Sequence, residues 1–143
     1  MLSHHSNPPD PPPIYKFACA AGRELCCKII TARLGYEPHG YQLDGICQAL
    51  DGVDLLAVTP TGSGKTGFLV MYLLVMHAVM REPSLCGEAR PPPHFRKDAA
   101  MVVVCPTKSL ELDMAPKFQA AGIATLVINK DTTDIARRQA VVH

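Results

Sequence analysis

The sequence predicts an α/β fold in which helices flank a parallel sheet. Three short runs are almost wholly apolar: VDLLAV at residues 53–58, AMVVVC at 100–105 and IATLVI at 123–128. Strands buried on both faces have that composition. The segments before and between them place apolar residues at helical spacing, and strands that alternate with helices pair in parallel through right-handed crossovers. A third observation is the glycine-rich turn TPTGSGKT, residues 59–66, standing between the first apolar run and a helix.

Residues 1–14 form a Pro-rich lead-in, with five prolines between Pro8 and Pro13, and are expected to be a disordered tail. His4 and His5 belong to that tail rather than to a metal site. Residues 15–143 are expected to form one domain. From Arg23 to Leu34, the apolar positions Leu25, Cys26, Ile29, Ile30 and Leu34 recur at helical spacing, and Gly35 offers a C-cap. A second helix is predicted over Gln42 to Leu50, with Leu43, Ile46, Cys47 and Leu50 inward and Gly52 closing it. GFLVMYLLVMHAVM continues the glycine-rich turn as a helix apolar nearly all round, as a helix sandwiched in a core would be. Glu82 to Asp98, with Pro83, Gly87 and Pro91–Pro93, reads as a surface loop. Lys108 to Ala121 has helical character, kinked or broken at Pro116. Asp131 is expected to cap a last helix through Arg138 to Val142.

Composition narrows the function classes. With 48% hydrophobic and 19% charged residues the chain is globular rather than disordered. A net charge of +1 supplies no electrostatic footprint for nucleic acid, so any such binding has to rest on motifs. The six cysteines form no C-x-x-C pair, which excludes a zinc framework and a secreted disulfide scaffold. Cys26, Cys47 and Cys105 sit in apolar segments, where a thiol acts as a small hydrophobe. The expected compartment is reducing and intracellular. No stretch near the N-terminus reads as a signal peptide. The run Phe68 to Met80 is too short to span a bilayer.

The sharpest chemical signal is the turn itself. Binding a chain of phosphates needs backbone N–H groups pointing inward without obstructing side chains, which places Gly62 and Gly64. The helix beginning near Lys65 adds its positive N-terminal end. In this reading Thr61, Gly62, Ser63, Gly64, Lys65 and Thr66 hold the nucleotide. Lys65 reaches the β- and γ-phosphates and the Thr66 hydroxyl ligates Mg²⁺. Thr59 occupies the slot where the general G-x-x-x-x-G-K-[ST] pattern has glycine.

PTGSGKT, preceded by YQLDGICQALDGVDLLAV, resembles the phosphate loop and upstream glutamine motif of superfamily-two helicases. The resemblance implies a RecA-like phosphate-loop fold and assigns Gln42 to adenine, since an amide offers one donor and one acceptor to complementary base groups. A third block, VVVCPTKSLELDMAPKFQAAGIATLVIN, is similar to the next helicase motif, and especially to that of RecQ-type DNA helicases, through Pro106, Ser109, Leu110 and Asp113. It implies that Thr107, Lys108 and Ser109 touch the nucleic-acid backbone. His39 stands where RecQ helicases place an arginine, and His39, Tyr36 and Tyr41 are the substitutes for stacking the base.

No Asp-Glu pair occurs in the sequence, whereas hydrolysis in these motors needs an acidic motif and arginines from a second lobe. The expectation is therefore the first part of the first RecA-like lobe, truncated before the acidic motif. Such a chain binds ATP, Mg²⁺ and nucleic acid as part of a RecQ-like 3′–5′ DNA helicase, without catalytic residues of its own, and is nuclear in a eukaryote. The alternatives are a fragment of a DEAD-box-type RNA helicase and a non-catalytic nucleotide-binding or interaction module. An incomplete sheet is expected to leave apolar faces and edges uncovered.

Overall fold

The computed structural model describes residues 8–62 and 64–134. Helix α1 spans Ala20–Leu34, α2 Gly40–Leu50, α3 Lys65–Arg81 and α4 Lys108–Ala120, with a 3-10 turn at Pro83–Cys86. Each start has a local cause. The Cys19 sulfur accepts from the Gly22 N–H and starts α1 three residues earlier than its apolar spacing suggested. His39 caps α2 with Gln42 closing a capping box, so that helix also begins early, at Gly40. Thr107 Oγ1 accepts from the Leu110 N–H and caps α4. Gly35 ends α1 in the left-handed conformation, as expected. Helix α4 runs through Pro116 without ending there.

Helix α3 explains its own composition. Met71, Val75 and Val79 pack with Cys26 and Ile30 of α1 and Ile46, Cys47 and Leu50 of α2. Val70, Leu73 and Leu74 pack instead with Met114 and Phe118 of α4 and with Ile123. A helix covered on two sides has no room for a polar face.

The parallel sheet is the main departure. Among the described residues there is no strand; residues 53–58, 100–105 and 123–128 carry no ladder. Their side chains nevertheless keep a period of two, the strand periodicity. Met101, Cys105 and Ile123 pack on the α3–α4 core. Leu56 and Val58 are 92% exposed, Val102 and Val104 89%, Leu126 82% and Ile128 69%. Burying a parallel strand on both faces takes neighbouring strands and a second covering layer. Among the described residues, helices cover one side of these segments and nothing covers the other, so apolar faces are exposed there.

Two further expectations change. The segment 82–98 is more than a surface loop: Phe95 is buried and stacks on Phe17 with ring centroids 5.7 Å apart. The chain before α1 is tied to the same segment. Arg90 N–H donates to the Pro13 carbonyl at 2.9 Å and Tyr15 N–H to the Arg90 carbonyl at 2.8 Å, forming an isolated parallel bridge between Ile14 and Arg90. Asp51, at the end of α2, then clamps the next turn by accepting from Phe17 N–H at 2.8 Å and Ala18 N–H at 3.0 Å. The second change concerns the last helical turn, which starts at residue 130. It is capped by Asn129, whose Oδ1 accepts from the Asp131 and Thr132 N–H groups, and not by Asp131. The stretch Arg138 to Val142 and the histidines His4 and His5 lie outside the described residues.

Candidate functional site

The glycine-rich turn lies where α2 and α3 meet. Gly62 and Gly64 adopt φ of 80° and 81°, a left-handed conformation that residues with a Cβ enter only at a cost. A Cβ on Gly62 would meet nothing within 4 Å, so backbone conformation, not crowding, calls for glycine there. Gly64 is the N-cap of α3, and its carbonyl accepts from the Gly67 N–H at 2.9 Å. Lys65 is exposed and Thr66 half-buried on the first turn of α3. Its dipole therefore points its positive end at the turn. Thr61 is exposed, and Ser63 lies outside the described residues. Thr59 Oγ1 is buried without a hydrogen-bond partner among the described residues.

Gln42 is the polar side chain buried at this junction, at 3% exposure. Its Oε1 accepts from the His39 N–H at 3.0 Å, and its Nε2 donates to the Gly64 carbonyl at 3.1 Å. The amide thus joins the start of α2 to the glycine-rich turn. The space is fitted to it: a Cβ on Gly64 would come within 2.8 Å of Nε2, and one on Gly67 within 3.2 Å. An amide has two donor hydrogens and two acceptor lone pairs. One of each is already in use, so a base would have to share Gln42 with the backbone or displace it.

Aromatic rings border the same junction. His39 and Tyr41 stack with centroids 5.7 Å apart and planes within 7°, and Tyr41 lies 5.9 Å from Phe68 on α3. Sequence reasoning named His39 and Tyr41 but missed Phe68 and Gly67. Their signal was the i+3 spacing from Gly64 and Lys65 on a helix that looked apolar throughout. Tyr36 is 56% exposed.

The proposed nucleic-acid turn is placed elsewhere, at the start of α4 on a different face of α3 from that covered by α1 and α2. Its polar groups have internal partners. The Thr107 hydroxyl caps α4, and Lys108 Nζ meets Asp131 Oδ2 at 2.6 Å. Glu111 Oε2 accepts from Asn129 Nδ2 at 2.9 Å, holding residues 129–131 against the same helix. Ser109 is exposed. Asp113 pairs with Lys117 at 2.9 Å.

The sequence pattern of the DEAD/DEAH box helicases matches residues 39–141, from the N-cap of α2 past the last described turn. The chain belongs to that family. It is similar to DEAD-box ATP-dependent RNA helicase 10 of Arabidopsis thaliana, with 33% identity over 94 residues, covering 63% of this chain and 19% of that protein. The chain thus spans about a fifth of the length of the curated relative it matches. No solved structure matches it. Family membership implies a RecA-like phosphate-loop fold and a nucleotide bound with a divalent metal. The described residues hold no helix long and apolar enough to cross a membrane.

Proposed function

We propose that this chain is the nucleotide-binding part of an ATP-dependent nucleic-acid helicase. One observation carries the reading: the buried Gln42 amide holds the carbonyl of Gly64, the residue within the glycine-rich loop that caps α3. In this reading the loop from Thr61 to Thr66 receives the phosphates. The exposed Lys65 neutralises them, and the Thr66 hydroxyl is the ligand for Mg²⁺. A metal held there would neutralise phosphate charge. Gln42, beside the His39–Tyr41 stack, would report on the base by sharing the amide that now bonds His39 and Gly64. Contacts by 107–109 to a nucleic-acid backbone would require Lys108 to leave Asp131.

The likeness to a plant RNA helicase favours RNA as the nucleic acid. A second reading, a RecQ-like DNA helicase, is favoured by Pro106, Ser109, Leu110 and Asp113. Unwinding of an RNA duplex against a DNA fork by the complete helicase separates the two. The nucleotide site is tested by titrating fluorescent ATP into the chain and its Lys65→Ala variant. The expected result is saturable, Mg²⁺-dependent binding lost in the variant. Equal binding by both would overturn the assignment.

A further inference from the structure

We propose that residues 8–13, PPDPPP, are a docking strand for a partner domain that reads polyproline II in an aromatic-lined groove. Five of the six residues are proline, each fixing φ near about −65°. The sixth, Asp10, precedes Pro11 and is held extended by that neighbour. Polyproline II is the conformation such a run adopts, and little ordering entropy remains to be lost when it is bound. All six residues are exposed. The strand also starts from a fixed point, because the Pro13 carbonyl accepts from Arg90 N–H and Tyr15 N–H donates to the Arg90 carbonyl.

The three-residue repeat puts Pro8 with Pro11, and Pro9 with Pro12, on two adjacent ridges. A groove floored by stacked Trp and Tyr side chains takes two such ridges. Asp10 is the sole charge between residues 8 and 15. It selects a groove with a basic flank and disfavours the acidic-flanked kind that requires an Arg or Lys among the prolines. The strand lies outside the helicase-matched region, which begins at residue 39, so this inference does not rest on the nucleotide site.

The chain contains no tryptophan, which makes the test direct. A purified WW domain with a basic flank supplies all the tryptophan emission while the full chain is titrated into it. The expected result is a saturable change in emission, with binding roughly ten-fold weaker for the Pro9→Ala/Pro12→Ala chain. These positions are outside the core, so the variant keeps its helices, which circular dichroism checks. Unchanged emission, or an equal change with the doubly substituted chain, would overturn the proposal and leave the segment a rigid spacer.

Discussion

Replacing Gln42 separates two roles that a helicase glutamine can have. In this chain the amide makes two backbone hydrogen bonds, to His39 N–H and to the Gly64 carbonyl. Each is worth about 0.5–1.5 kcal/mol net, so Gln42→Ala removes about 1–3 kcal/mol from the junction that positions the glycine-rich turn. With about 1.4 kcal/mol per factor of ten, the largest expected loss of phosphate affinity lies between about five-fold and about 150-fold. Gln42→Glu keeps the acceptor for His39 and replaces the donor to Gly64 with a second oxygen, so it should be at least as damaging as Ala. The assay is competition of inorganic tripolyphosphate and of ATP against a fluorescent nucleotide. A residue that acts by bracing the loop weakens both competitors together, whereas one that only reads adenine weakens ATP alone. Tripolyphosphate affinity unchanged in Gln42→Ala would refute the bracing role.

Three other outcomes are expected. Asp51→Ala frees Phe17 N–H and Ala18 N–H; bonds to a charged acceptor are worth about 1.5–3 kcal/mol each. Proteolysis should then open the chain before α1, while Asp51→Asn, which keeps one acceptor, gives an intermediate effect. Equal protection in all three would remove the clamp. Val102→Thr with Val104→Thr should reduce self-association measured by sedimentation, because those side chains are 89% exposed on an uncovered strand-like face; unchanged association would clear that face. The pH dependence has a definite sign. Burial pushes the Cys86 thiol and the Tyr72 hydroxyl up. Folded-state values above the unfolded ones mean that, past the ordinary thiol value of 9.0, the unfolded chain holds fewer of these protons. Their stabilisation is therefore intact below about pH 9 and falls as pH rises through the folded values. Urea melts at about pH 8 and about pH 10.5 should show the loss, and matching midpoints would contradict it.

The helices were legible because their signals are local. Gly35, the apolar spacing of α1 and α2, and the glycines of residues 59–66 each act within a turn or two of chain. Boundaries slipped where the cap was an unusual residue, Cys19 for α1 and His39 for α2. The candidate site residues were named from the sequence, but their partners in the fold were not. Gln42 reads in sequence as free to meet a base, and Lys108 as free to meet a phosphate. In the fold their polar atoms meet Gly64 and Asp131, each more than twenty positions away. The loop 82–98 looked detached because nothing in its composition marks Phe95 as the ring that stacks on Phe17.

By itself, then, the amino-acid order determined which segments are helical, where the phosphate-type turn falls and which runs are strand-like, since short-range sterics and periodicity decide those. Only the tertiary structure decided that one glutamine braces the turn, that Asp51 secures the chain before α1, and that alternate residues of residues 53–58, 100–105 and 123–128 stand bare. The reason is physical: a hydrogen bond or a ladder between distant residues exists only once the chain brings both partners together, and a strand cannot be buried by its own composition.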